Sequence, residues 1–325
     1  MIHRYQKKGL NFVLDVNSGA VHLLDDISYA VSGLIDENMT EACPESVVEA
    51  LPQYSADDVR EAYGELYELK KAGQLFAEDD YIDVSRYIPV GAPVKALCLH
   101  VAHDCNLRCK YCFASTGDFG QGRKIMPPEV AKKAIDFVIA RSGKRRNIEV
   151  DFFGGEPLMA WDTVTQTVDY ARSIEEQHGK KFRFTITTNG LLLDEDKRKY
   201  INENMDNCVL SLDGRREVND EFRKTVAGTG SYDTIVPKFQ EFVKKRGDKN
   251  YYMRGTYTHY NTDFTNDIFH MADLGFTELS MEPVVCDPSD PSALTEADLP
   301  ILKYQYEILA KEMIKRDREG RGFTF

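Results

Sequence analysis

The spacing of apolar positions divides the chain in two. From about residue 94 onward, short apolar runs recur, each followed by a turn and a helical stretch. The runs are "KALCLHVA", "IEVDFF", "FRFTITT", "CVLSL", "NYYMRGTYT" and "LSMEPVV". Between them lie "PPEVAKKAIDFVIARS", "DTVTQTVDYARSIEEQHG", "DEDKRKYINENM", "YDTIVPKFQEFVKKRG" and "TDFTNDIFHMADLG", with apolar residues at helical spacing. Alternation of β-branched strands with helices predicts a parallel sheet. Six such units suffice for a partial (β/α)6 barrel, in which function belongs to the loops at the strands' C-terminal ends. A last helix, "EADLPILKYQYEILAKEMIKRD", precedes the terminal "REGRGFTF".

The first 84 residues are patterned differently, as short strands followed by helices. "IHRYQKK", "NFVLDV" and "AVHLL" read as strands, with Asn17-Ser18-Gly19 as a turn. "DISYAVSGLI" reads as a helix opened by Asp26, and "CPESVVEALP" as a short helix between Pro44 and Pro52. "SADDVREAYGELYELKKAG" is the clearest helix: Ser55 caps it, acids fill its first turn, Lys70 and Lys71 its last, and Gly73 stops it. Val59, Tyr63, Leu66 and Leu69 form its apolar stripe. "QLFAEDDYI" reads as a wing strand. The expected organisation is a small α+β winged-helix-like domain at 1–84, a linker at 85–93, the barrel at 94–290, and at 291–325 a helix and the start of a missing or truncated extension.

Charge follows the same division. The chain of 325 residues carries a formal net charge of −12. Residues 1–85 hold six Lys and Arg against 17 Asp and Glu, leaving 35 against 36 for the rest. An acidic front module lacks the cations that phosphate binding needs, which disfavours nucleic acid as its partner. It is compatible with a basic partner, or with ordinary solvated helix faces. The start "MIHRYQKKGL" has no signal-peptide apolar run, and no stretch reaches membrane-spanning length. The expected location is the cytoplasm, where clustered cysteines indicate metal or redox chemistry rather than disulfides.

Three of the seven cysteines, Cys105, Cys109 and Cys112, fall in "AHDCNLRCKYCFAS", the loop after the first barrel strand. Three thiolates there can serve one metal centre. One candidate is structural zinc, with His103 as fourth ligand. The other is a four-iron cluster with one iron left open to bind a substrate. The later strand ends bear on the choice. They carry "FFGGEPL" with paired glycines that permit close approach to the backbone, then "TTNG", "SLDG", "VNDEFRK" with Arg223, and "MEPV". A small polar molecule bound to a cluster uses such loops, whereas a structural zinc has no need of them.

The Cys-x3-Cys-x2-Cys spacing with Tyr111 before the last cysteine, followed by "GGEP", "TTNG" and "SLDG" on successive strands, resembles the radical S-adenosylmethionine (SAM) enzymes from about Val94 to Val285. The resemblance implies that Cys105, Cys109 and Cys112 hold a [4Fe–4S] cluster whose open iron chelates the amino and carboxylate groups of SAM. It implies that Gly154, Gly155 and Glu156 contact the amino group through backbone, and that Tyr111 lies near the adenine. Ser211, Asn189 and Asp213 would contact the ribose or carboxylate, and Arg223 would pair with the carboxylate. An electron from the cluster would cleave SAM, and the resulting 5′-deoxyadenosyl radical would take a hydrogen atom from the substrate.

The front module narrows the resemblance to enzymes that modify ribosomally made peptides. Their recognition domains take up a leader peptide as an added strand. The matching elements are "AVHLL" (Ala20, Val21, His22, Leu23, Leu24) and the helix bearing Tyr63 and Tyr67. Taken whole, the chain is similar to the maturases of SCIFF-class cysteine-rich peptides, which join a cysteine sulfur to another residue's carbon as a thioether. Those enzymes continue into a SPASM-type region with auxiliary iron–sulfur clusters, and this sequence has no cysteine after Cys286 to hold one. A precursor peptide and an electron donor are the implied partners. Two alternatives stand beside this reading: a related reaction such as sulfatase maturation, and a zinc-stabilised winged-helix regulator. Cys98, Cys208 and Cys43 are expected to be structural. Cys286 is read as a loop residue or a peripheral contact.

Overall fold

The computed structural model describes residues 1–79 and 91–325, which form two compact units, Met1–Ala92 and Pro93–Phe325. In the first, β1 (Ile2–Lys7), β2 (Leu10–Asp15) and β3 (Val21–Leu24) pair antiparallel in chain order. The β1–β2 hairpin turns on two residues, Lys8 and Gly9, both at positive φ, the backbone twist a two-residue hairpin requires. Helices α1 (Asp26–Val31), α2 (Glu45–Glu49) and α3 (Ala56–Lys71) follow. The cap of α1 is Asp25 rather than Asp26: its carboxylate accepts from Ser28 N. Ser55 caps α3 as expected, accepting from Asp58 N at 3.2 Å. Val13, Val31, Val59, Tyr63, Leu66 and Leu75 make the unit's core.

The wing strand is not formed over the part that is described. Phe76 takes a positive φ, which breaks an extended run, and residues 74–77 are instead pinned to the β2–β3 corner. Ala77 N donates to Asp15 Oδ2 and Asn17 Nδ2 to Ala77 O, both at 2.8 Å. The remainder of that expected strand, 80–82, and most of the expected linker lie outside the described residues.

The second unit is an α/β partial barrel. Six parallel strands run in chain order: β4 (Ala96–His103), β7 (Asn147–Gly154), β8 (Lys181–Thr188), β9 (Asn207–Ser211), β11 (Tyr252–Tyr257) and β12 (Leu279–Pro283). Helices α4 (Pro128–Arg141), α5 (Trp161–His178), α6 (Glu195–Asn204), α7 (Arg216–Phe222), α8 (Tyr232–Lys244) and α9 (Thr265–Asp273) connect them, and α10 (Leu299–Arg318) follows. Alternate residues explain the curvature's two faces. Ile148, Val150, Phe152, Phe182, Phe184 and Ile186 are fully buried in the main core. Their neighbours Glu149, Asp151, Arg183 and Thr185 are not. One face of the sheet is packed by helices, and the other is left polar.

Three short strands add to the expected pattern. The two-residue β6 (Lys124–Ile125) pairs antiparallel with the edge of β4. β5 (Leu107–Cys109) and β10 (Arg223–Thr225) pair antiparallel with each other, placing Arg223 opposite Cys109. Cys98 is a correction of another kind. It is exposed on the polar face of β4 rather than packed in the core, whereas Cys208 is fully buried.

Candidate functional site

All six parallel strands end at one side of the second unit, and a cavity of about 460 Å3 opens there. The long loop after β4 supplies the three thiols to its wall. Asp104 begins that loop by accepting from Cys105 N at 2.8 Å, and Arg123 braces Asp104 at 3.3 Å. Cys109 is fixed by the β5–β10 ladder, and Cys112 N donates to Cys109 O at 3.2 Å. The loop then turns through Ser115, Thr116, Gly117 and Phe119, all at positive φ. Such backbone is costly for residues other than glycine and persists only where its surroundings hold it. Among the described residues, no three His, Cys, Asp or Glu side chains are grouped as ligands of a single ion. The thiols stand around the cavity instead.

Electrostatics set Cys105 and Cys109 apart from surface cysteines. Burial pushes the Cys105 thiol up to about 11 and the Cys109 thiol up to about 12. Two weak donors oppose the shift at Cys105, Leu107 N at 3.4 Å and Asn189 Nδ2 at 3.6 Å from Sγ. At Cys109 the opposing influence is the Arg223 guanidinium. Donors aimed at a ligand sulfur stabilise its anionic, metal-binding form.

The glycine pair after β7 has a reason the sequence did not expose. A Cβ on Gly154 would stand 2.3 Å from Ala102 O, and one on Gly155 2.2 Å from Asp104 O. The backbone that needs the space is the chain's own cysteine loop. Gly155 N donates to Ala102 O at 2.7 Å and Glu156 N to Asp104 O at 2.8 Å. An ammonium group only donates, so what these residues can offer it is carbonyl oxygen. The Glu156 side chain is fully buried and accepts from Leu158 N, Thr188 Oγ1 and Asn189 N at 2.8–3.0 Å. It clamps the end of β7 to the end of β8. Burial raises its carboxyl to about 7 against the pull of those three donors.

Tyr111, Asn189, Ser211 and Arg223 also line the cavity. Asn189 spends its side chain on the cysteine loop, donating to Asn106 Oδ1 at 2.8 Å. Asp213 does not line the cavity, which corrects the expectation of a direct contact. It is fully buried behind the wall, accepting from Tyr111 Oη at 2.5 Å and Thr256 N at 3.0 Å, with Arg223 Nε at 2.9 Å. The facing wall comes from β11 and β12: Arg254 and Glu282, ion-paired and half exposed, then Pro283, Val284 and Val285. The candidate fourth zinc ligand, His103, is turned onto Phe119, ring centroids 4.9 Å apart, and is not on the cavity.

In the first unit, Val21 and Leu23 of β3 are exposed, Ala20, His22 and Leu24 are half buried, and Tyr67 is half buried on α3. His22 is engaged with Gln74 O at 2.8 Å. Tyr63 is excluded as a peptide contact: it is 1% exposed and its hydroxyl donates to Thr40 O at 2.8 Å. Among the described residues, no helix of either unit is long and apolar enough to cross a membrane.

Comparison with known proteins places this geometry. The model of the Radical SAM superfamily matches residues 99–282. A radical SAM cyclopropyl synthase of Paramaledivibacter caminithermalis is 29% identical over 194 residues, 55% of this chain and 40% of its own length. A cysteine-type anaerobic sulfatase-maturating enzyme of Clostridium novyi is 30% identical over 137 residues, 41% of this chain and 36% of its own. The chain thus spans well under half the length of either. Among solved structures, the sulfatase-maturating enzyme anSMEcpe with bound AdoMet and a Cp18Cys peptide superposes with TM-score 0.61 at 20% identity, covering 71% of this chain and 63% of that one. Streptococcus suis SuiB bound to S-adenosylmethionine gives 0.53 at 15% identity, covering 97% and 69%. At those identities the likeness is one of fold.

Proposed function

The chain belongs to the radical SAM superfamily, and from that premise we propose that it reductively cleaves SAM and modifies a ribosomally made cysteine-rich peptide by thioether formation, as SCIFF-class maturases do. The observation that carries the first part is the gathering of three buried-loop thiols, the Gly-Gly-Glu turn and Arg223 around one cavity. The donor set fits a cubane cluster. Thiolates spread round a cavity suit a cluster whose ligands sit on separate irons. A structural zinc needs four converging ligands, and His103 is packed elsewhere.

Cys105, Cys109 and Cys112 would hold the [4Fe–4S] cluster, which, once reduced, supplies the electron that opens SAM to hydrogen-atom chemistry. The rest is the chain's own work. The carbonyls of the glycine turn accept from the ammonium group, and Arg223 offers the carboxylate a charge-assisted partner. Tyr111 and Ser211 line the wall on which the nucleoside would rest, and Glu156 fixes two of these loops together. Arg254 and Glu282 face the cavity from the side left for the substrate.

The peptide reading draws on two further supports. Relatives include enzymes that mature sulfatases, and β3 is an edge strand with Val21 and Leu23 exposed, the form a leader peptide can extend. The reducing cytoplasm and a low-potential electron donor are parts of the same proposal. The test is co-expression with Cys-rich precursor peptides that keep their leaders, followed by mass spectrometry. Loss of two hydrogen atoms per link, with a cysteine that no longer alkylates, supports thioether formation. Oxidation of a sulfatase peptide, with the precursors unchanged, would move the protein to the sulfatase-maturing reaction.

A further inference from the structure

We propose that Asp213 and Arg223 form a buried charge pair that tunes the reduction potential of the cluster at Cys109, with Tyr111 as the strut that holds the pair in register. The inference rests on the cluster assignment above. Three observations carry it. First, the β5–β10 ladder pairs Arg223 with Cys109, and its guanidinium is the foremost charge acting on that thiol. Second, the pair is out of water: Asp213 is 0% exposed and Arg223 8%. Charges in such surroundings act on one another and on a neighbouring centre far more strongly than at the surface. Third, Tyr111 lies in the cysteine loop between Cys109 and Cys112. Its hydroxyl donates to Asp213 at 2.5 Å and its ring lies 5.7 Å from the Arg223 guanidinium carbon.

The Asp213 side chain is approached from three sides, by Tyr111 Oη, Thr256 N and Arg223. Burial opposes the charge on Arg223, and the Asp213 carboxylate is foremost among the groups that offset it. Arg223 Nε is nonetheless buried without a well-directed acceptor, although Asp213 Oδ2 is 2.9 Å away. Coulomb attraction therefore holds the pair.

Reduction adds one electron, and so one negative charge, to the cluster, with dithionite as the species oxidised. A nearby guanidinium stabilises the reduced state and a nearby carboxylate destabilises it. The two side chains therefore pull the potential in opposite directions, and removing each should move it oppositely. A merely structural triad predicts no such opposition, because loss of either partner would loosen the same loop.

The experiment is anaerobic reconstitution of the full chain, iron analysis, and a potentiometric titration followed by electron paramagnetic resonance. Asp213→Asn is expected to raise the midpoint and Arg223→Gln to lower it. The double variant should fall between them, and Arg223→Lys should stay near the parent. Shifts of the same sign, or none, in iron-replete proteins overturn the proposal. If the neutral variants fail to load iron, Arg223→Lys and Tyr111→Phe decide, since both keep the two charges. A parental midpoint in Arg223→Lys with a displaced one in Tyr111→Phe, which loses the strut, supports the proposal; a displaced midpoint in Arg223→Lys or a parental one in Tyr111→Phe overturns it. Failure of the parent chain itself to bind iron refutes the cluster assignment instead, a different outcome.

Discussion

Gly155→Ala isolates the packing of the cysteine loop from everything else at the site. Gly155 does not occupy the positive-φ region, so the substitution brings no backbone penalty, unlike Gly154 at φ 131°. The added Cβ would stand 2.2 Å from Asp104 O, 2.6 Å from Asp104 C and 2.8 Å from Gly117 O, where ordinary contact begins at 3.4 Å. All three atoms are backbone, so no side chain can swing aside, and one loop must retreat by about 1 Å. Overpacking of that kind costs about 1–3 kcal/mol. Loss of the Glu156 N to Asp104 O hydrogen bond adds about 1 kcal/mol. The retreat falls on the loop that presents Cys105, while the barrel core is untouched. Iron affinity, read by competition with a chelator under anaerobic conditions, should drop roughly 30- to 700-fold, the equivalent of about 2–4 kcal/mol. Circular dichroism should still report a folded barrel. Full iron stoichiometry with the parental chelator midpoint would refute the claim that this glycine is there for the loop.

Other expectations follow from the same structure. Glu156 has a folded-state carboxyl raised from 4.5 to about 7, so the native state keeps a proton that the unfolded chain has lost over that range. Stability should therefore fall as pH rises from about 4.5 to about 7, by about 3 kcal/mol for this group, and level off above. Urea unfolding across that window should show a shallower fall in Glu156→Gln, and an identical slope would contradict the assignment. Gly64, inside α3, has open space where a Cβ would stand, with nothing within 4 Å of it. Gly64→Ala should add about 0.5–1 kcal/mol, seen as roughly two- to fivefold slower hydrogen exchange of α3 amides; unchanged exchange would count against it. Val21→Asp with Leu23→Asp should weaken binding of a leader peptide at least about tenfold, measured by calorimetry, while SAM cleavage without peptide stays at the parental rate. Equal leader affinity would remove β3 as the docking edge.

The strand ends were legible because each barrel strand is a β-branched or aromatic run followed by a long amphipathic helix, so the loops between them could be placed in order. Cys105, Cys109, Cys112 and Arg223 were found that way, and all reach one cavity. What stayed hidden is long-range or very short. A three-residue ladder such as β5–β10 is below the length at which alternation can be read, yet it sets Arg223 opposite Cys109. Tyr63 belongs to the apolar stripe that helical spacing assigns to the core, and its burial there excludes the groove role the resemblance implied. Asp213 shares "SLDG" with the cavity residue Ser211, but its carboxylate is drawn behind the wall by Tyr111 and Thr256, more than 40 residues away on either side. Cys98 sits in an apolar run, and only the curvature of the sheet tells which of its two faces is open. Over its described part the wing strand is broken at Phe76, whose backbone no local pattern announces.

The central claim is that three thiols hold a cluster that opens SAM. The direct measurement is anaerobic reconstitution with iron and sulfide, reduction by dithionite, and addition of SAM, for the parent chain and for Cys105→Ala, Cys109→Ala and Cys112→Ala. About four irons per chain, with 5′-deoxyadenosine formed by the parent and lost in all three variants, is the predicted result. Zinc bound in place of iron, with no nucleoside formed, would contradict it.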